Sequence, residues 1–426
     1  MLKFNEDLLQ FIWQYKLLKP LPIISISNKA IIILKYGSLN KDAGPDFFNA
    51  QIKIDDVILV GNIELHLKSS DWLKHKHQTN KNYDNIILHV VYEYDVEIPQ
   101  NTNNNVEVVE LKNLIDTKTI LNYTHLIESK TNLPCSNQLQ FVNEIQFTAW
   151  LQRMAIERLE IKTKRIDDLF NEYSGNYSQT FYTILLCNFG FKVNALPFEL
   201  LAKHIPLAVL LKHADNLIHL EALLLGCAGF LDNQFEDKYI NQLQNEFEYL
   251  KTKYTLTPLN KSIFKFNKMR PANFPTVRLV QFALLIHQQS TFLLNPQNYT
   301  TLKNIKMCFE LKPTHYFKNH YQLDGNEIEK QISFGNSSKE NIVINTLAPF
   351  FFFYAKKQMQ PNYSDIAIDL LMQCDFEKNQ KTKLFIIKKQ QLQNAADSQA
   401  LINLYDNYCI KKQCLKCGIG ASILKS

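Results

Sequence analysis

The period of the apolar residues changes near residue 130, and that change limits the chain to folds that set a sheet apart from a helical body. Before it, short β-branched runs cover 30–36, 48–54, 58–68, 85–93 and 106–111, the last preceded by the polar loop Asn101-Thr102-Asn103-Asn104-Asn105. After it, apolar residues recur every three or four positions and predict helices over 145–170, 177–189, 198–213, 218–231, 239–254, 277–289, 342–357, 366–374 and 397–408. The expected class is α+β: a mixed α/β domain over 1–130, then a larger all-helical domain over 131–426 that ends in a cysteine cluster. An exposed loop around 116–137 is the expected boundary, and 426 residues suffice for two or three domains. No internal repeat is visible.

Within the first part, the run Ile63-Glu64-Leu65-His66-Leu67-Lys68 places Glu64, His66 and Lys68 on one strand face and Ile63, Leu65 and Leu67 on the other. Three polar groups on one face of a strand need a partner. Asp46, in the turn Gly44-Pro45-Asp46, heads a second alternating run, and a hairpin would bring it beside Glu64. Two converging carboxylates make a hard oxygen site suited to Mg²⁺ or Mn²⁺, with a basic neighbour to orient water. The competing reading has Asp46 capping the turn and Glu64 paired with Lys68 across exposed sheet.

Pro45-Asp46 followed by Glu64-Leu65-His66 resembles the core of the PD-(D/E)XK nucleases, with His66 where that motif has lysine. The resemblance implies metal-dependent hydrolysis of nucleic-acid phosphodiesters. In it Asp46 and Glu64 bind the ion, His66 or Lys68 orients the water, and Glu6, in the amphipathic run 4–13, matches the helix glutamate such nucleases add. Imidazole accepts a proton near neutrality but carries no fixed charge, so Lys68 would supply it.

Four of the eleven histidines, His66, His75, His77 and His89, fall within one short stretch. Neutral imidazoles ligate zinc and other transition metals, so a His-rich metallohydrolase acting on a small substrate is a rival reading. His89 lies in the apolar run 85–93, where a buried, hydrogen-bonded histidine is the plainer assignment.

Elsewhere, residues 256–320 hold nine Lys or Arg against the single acid Glu310, interleaved with aromatics, a balance suited to nucleic acid or simply to a solvated basic face. In Arg270-Pro271-Ala272-Asn273-Phe274-Pro275 two prolines stiffen the chain, and Arg270, Asn273 and Arg278 form a candidate phosphate-binding group or a helix-capping connector. A non-catalytic nucleic-acid-binding scaffold is the reading in which these features remain and turnover is lost.

Cys409-x4-Cys414-x2-Cys417 closes the chain, and Cys135, in a proline-containing loop, is the candidate fourth ligand for a 4Fe–4S cluster or Zn. This is similar to the cysteine staple of some iron–sulfur nucleases. Cys187, Cys227, Cys308 and Cys374 lie in apolar helical runs and read as core. Acids at 6 and 7 interrupt any secretory signal, and the apolar stretch 347–355 is shorter than the ~20 residues that span a bilayer. A soluble, cytoplasmic protein without a membrane partner is expected.

Gly44-Pro45-Asp46-Phe47, Glu64-Leu65-His66 with Asp71-Trp72 and His75-Lys76-His77, Leu88-His89-Val90-Val91, Arg270 to Pro275 with Arg278, and the terminal cysteines together resemble one family over essentially the whole chain. It is a bacterial family known as domain of unknown function 2851. That resemblance implies no particular activity.

Overall fold

A computed structural model describes residues 4–98, 106–329 and 331–425, so the asparagine loop 101–105 lies outside the described residues. The chain divides into two compact units. The first takes in residues 1–150, 383–391 and 402–426, and the second residues 151–382 and 392–401.

The first unit opens with helix α1 (Glu6–Gln14), which buries Leu8, Leu9, Phe11, Ile12 and Trp13. Asn5 caps it by accepting from the Leu8 amide at 3.0 Å, and Glu6 and Asp7 complement the positive end of the dipole. Seven strands follow: β1 (Ile23–Ile24), β2 (Ala30–Lys35), β3 (Ser38–Leu39), β4 (Phe47–Ile54), β5 (Val57–Lys68), β6 (Ile86–Glu93) and β7 (Glu107–Glu110). They form one sheet in the order β1-β2-β4-β5-β6-β7, with β3 beside β4. Pairing is antiparallel from β1 to β5 and parallel across β5, β6 and β7. The β5 to β6 connection contains helix α2 (Asp71–Lys74), as a parallel pair requires a crossover.

Strand β5 is central, and its segment Ile63 to His66 is buried throughout. Ile63 and Leu65 pack with Phe47, Leu88 and Val90, all essentially inaccessible, while Glu64 and His66 face the other side. Gly61 lets β5 approach the start of β6, since a Cβ there would meet Ile87 Cγ2 at 2.5 Å and Asn85 O at 2.6 Å.

Two features differ from the sequence expectation for this unit. Residues 116–137 are not an open loop: helix α3 (Thr117–Glu128) forms there, capped by Asp116, whose Oδ1 accepts from the Lys118 amide at 2.9 Å. Ile120, Tyr123 and Leu126 recur at helical spacing and are buried. The unit also continues to residue 150 and recovers the tail, whose last helix α4 (Gly418–Lys425) is joined to α3 by Asn122 Nδ2 donating to Ile423 O at 3.3 Å.

The second unit is helical, around a core rich in phenylalanine from helices Tyr177–Phe189, Leu217–Cys227 and Pro275–Leu294. The class α+β thus holds for the chain. Where one helix is expected over 198–213, the structure has Phe191–His204 and Leu207–Leu211, separated at Pro206, which has no amide to continue the ladder. The run 342–357 contains a π-helical turn, Val343–Leu347, just before Pro349. Proline cannot donate to Asn345 O, which accepts instead from Asn188 Nδ2 at 3.1 Å. No helix among the described residues is long and apolar enough to cross a membrane.

Overpacking at Gly61 should be costly: Gly61→Ala should destabilise the fold by about 1–3 kcal/mol. Gly335→Ala, where the added methyl meets nothing within 4 Å, should leave the urea midpoint nearly unchanged. Glu221 gives a pH signature. Its Oε2 accepts from the Tyr239 hydroxyl at 2.8 Å, Oε1 is buried without a hydrogen-bond partner among the described residues, and burial raises its pKa from 4.5 to about 8. The folded state therefore binds this proton more tightly than the unfolded chain, so its contribution is complete below pH 4.5 and is lost as pH rises through about 8. Thermal melting across that window should show a decline that Glu221→Gln flattens.

Candidate metal centre

Hairpin register creates the first half of the site. Phe47 pairs with Ile63, which sets Asp46 beside Glu64, and a bulge between Phe47 and Ala50 carries Asn49 at a left-handed φ of 56°. Bulges of this kind re-aim the side chains beside them. The Asp46 amide donates to Glu64 Oε2 at 3.1 Å. Asp46 in turn accepts from the Leu65 amide at 2.9 Å through Oδ2 and from Gln10 Nε2 at 2.8 Å through Oδ1.

Parallel pairing of β5 with β6 supplies the second half. Glu64 is registered with His89, so His89 shares the face of Glu64 and His66. His89 is fully buried, and its Nε2 lies 2.9 Å from His66 Nδ1. The crossover between these strands then brings His75 and His77 over the same face. His66 Nε2 stands 3.1 Å from His75 Nδ1 and 3.6 Å from Glu64 Oε1, and His77 Nε2 stands 3.3 Å from Glu64 Oε1. Aromatic rings hold the imidazoles in place: Tyr83 stacks on His77 at 3.8 Å, and Trp72 contacts His77 at 5.3 Å and His89 at 4.9 Å.

Burial governs the charges. It pushes the His66 imidazole down to about 3, helped by His77 and His75, and takes His89 well below the usual histidine range. Both rings are therefore neutral. Burial and the neighbouring Glu64 raise Asp46 to about 7, against the stabilising Leu65 amide and Gln10. Glu6, half-buried on α1, is also raised by burial, with His75 opposing and Asp71 and Glu64 reinforcing.

His66, His75 and His77 present ligand atoms that all lie within 4.8 Å of one another. His77 is buried, and neither of its ring nitrogens has a hydrogen-bond partner among the described residues. Orphaned buried nitrogens carry a desolvation penalty that an ion would remove. Ligands at 2.0–2.1 Å from one tetrahedral centre stand about 3.3–3.4 Å apart, so the spacings of 3.1, 3.3 and 3.6 Å fit a single ion of the zinc type. The donor set fits too, since imidazole suits Zn, Cu, Fe or Ni better than Mg. Asp46 is less open, because each of its oxygens already accepts a hydrogen bond.

A family model described as protein of unknown function (DUF2851) matches residues 6–380. The chain belongs to this family. No curated protein and no solved structure matches it. The matched stretch contains Glu6, Asp46, Glu64 and all four clustered histidines, and ends before Cys409.

Other anticipated residues lie elsewhere. Lys68 is exposed and directed to Asp95 at 3.9 Å, so it is not the cationic neighbour of His66. Arg278 is buried between the Phe191 and Phe334 rings, 4.7 Å from each, and bonds Asn273, Gln281 and Ser338. Arg278 and Asn273 thus brace the start of helix Pro275–Leu294 by bonding each other, whereas Arg270 is exposed. In the basic segment, Lys306 is neutralised by Glu340 at 2.6 Å. Two residues escaped the sequence reading. Gln10 follows Glu6 by one helical turn, a spacing that would have flagged it, and Tyr83 lies in the irregular crossover, where no period exists.

Removing the Asp46 carboxylate orphans the Leu65 amide and Gln10. Asp46→Ala should therefore cost about 1–3 kcal/mol in urea denaturation of metal-free protein, independently of any activity.

Proposed function

We propose that the protein is a metal-dependent hydrolase of nucleic-acid phosphodiesters whose ion is held by Glu64 Oε1 and the imidazoles of His66, His75 and His77. The observation that carries this reading is buried His77, whose ring nitrogens make no hydrogen bond among the described residues while Nε2 stands 3.3 Å from Glu64 Oε1 beside the two neighbouring histidines. The substrate class draws on the frame. A glutamate-bearing helix, an antiparallel meander with aspartate ahead of one strand, Glu-x-His on the next and a crossover to a parallel strand support the resemblance to the PD-(D/E)XK core that the motif suggests.

A bound transition-metal ion would lower the pKa of an attacking water and polarise a phosphoryl oxygen. The chain's own groups do the rest. His89 holds the His66 ring through Nδ1, which leaves Nε2 directed at the site, and Trp72 and Tyr83 limit rotation of His77, with Trp72 also against His89. Asp46, held by the Leu65 amide and Gln10, fixes Glu64 through its own amide, and Glu6 adds a second carboxyl on that side. Hydrolysis forms one P–O bond to water and breaks one to the leaving oxygen, which takes up the proton released.

The protein as purified should carry one first-row transition metal per chain at this site. Metal titration should show affinity reduced about 10–100-fold in His89→Ala, the usual effect of removing a group that orients a ligand. Single- and double-stranded DNA and RNA, incubated with Mn²⁺, Zn²⁺ or Mg²⁺, should be cut by wild type and not by Glu64→Gln or His77→Ala. Metal-independent cleavage, or cleavage indifferent to Glu64→Gln, would sink the proposal. Salt-dependent nucleic-acid binding without turnover would favour the scaffold reading, and a bound metal with no phosphodiester turnover the small-substrate hydrolase.

A further inference from the structure

Four of the eight free cysteines converge in the first unit. Cys135 follows α3 in an irregular segment, where its carbonyl accepts from the Gln138 and Leu139 amides at 3.0 and 2.9 Å. Gln138 Nε2 bonds Asn122 Oδ1 at 3.2 Å, and Asn122 also bonds Ile423 O of α4, so one α3 residue ties the Cys135 segment to the tail. On the tail, helix Ala395–Leu404 runs into a π-helical turn, Tyr405–Cys409, which turns Cys409 inward. Such turns are rare and often mark functional positions. Lys412 then takes a left-handed φ of 50°, the turn Cys414–Lys416 follows, and Cys417 leads into α4.

Close approach is built into this loop. A Cβ on Gly420 would fall 2.2 Å from Cys414 O, and one on Gly418 would fall 2.5 Å from the Trp150 ring. Cys409, Cys414 and Cys417 are buried, and Cys409 lies near enough to Cys135, Cys414 and Cys417 for their charges to interact. Backbone amides of Ile419 and Gly420 and the Trp150 indole face Cys417. Amides directed at a sulfur stabilise a thiolate and are a usual surround for a thiolate-held centre. Cys187, Cys227, Cys308 and Cys374, by contrast, are buried one by one in the helical unit, and Cys187 faces Arg165 and Glu199 rather than another thiol.

We propose that Cys135, Cys409, Cys414 and Cys417 hold an iron–sulfur cluster that staples the tail to the segment after α3. The spacing favours a cluster over one zinc ion: C-x4-C-x2-C completed by one distant cysteine is a pattern that iron–sulfur proteins use.

Anaerobic purification of the full chain, followed by assay of iron, zinc and acid-labile sulfide, tests the assignment. Iron and sulfide in equal amounts, with broad visible absorption, are expected. Both should be lost in Cys135→Ser and Cys409→Ser and kept in Cys227→Ser. His77→Ala should leave the sulfide untouched, which separates this centre from the histidine site. One zinc per chain without sulfide overturns the cluster, as does a chain that takes up neither iron nor sulfide when both are supplied anaerobically. The wild-type measurement stands even if a serine variant fails to fold.

Discussion

Strand β5 carries a neutral imidazole and a carboxylate side by side in a buried position, and the architecture around it is arranged to satisfy them. Glu64 and His66 occupy the centre of the sheet at 5% and 2% exposure, where an unpaired polar group is expensive. The Asp46 amide answers Glu64 from the residue just ahead of β4, and His89 answers His66 from β6. Both partners are placed by strands whose register is set by apolar residues on the opposite face, Phe47 against Ile63 and Val90 against Leu65. Packing on one side of β5 thus aligns chemistry on the other.

That alignment also explains the nitrogen-rich character of the site. Asp46 is held by Gln10 and the Leu65 amide, so it buttresses the hairpin as well as bordering the cleft. Glu64 keeps Oε1 directed at His66 and His77. Lys68, the basic residue two positions after His66, is turned to Asp95, so it brings no fixed charge to the imidazoles. Imidazoles as a class suit borderline metals better than magnesium.

Much of the first unit was legible from period alone. The five longer strands fall within one or two residues of the β-branched runs, and the hairpin juxtaposition of Asp46 and Glu64 follows from counting along two alternating segments. The two-residue strands β1 and β3 are too short to show a period, and α3 was hidden because its buried positions include Thr119 and Thr124, which read as polar. Arg278 illustrates a different limit. A charged residue near a proline-stiffened loop looks like a ligand group, yet two phenylalanines distant in sequence enclose it, and no local pattern reveals them.

Local sequence determined the elements and the facing of Glu64 with His66, because alternation and helical spacing are properties of neighbouring residues. It also supplied the right residue types, imidazoles in one crossover and thiols at the tail. Only tertiary structure decided which of them meet. His77 reaches Glu64 through an irregular crossover, His89 reaches His66 through a parallel register, and Asn122 ties the segment of Cys135 to the tail. Contacts of that kind depend on how apolar faces pack at long range, and such packing leaves no periodic trace in the residues it brings together.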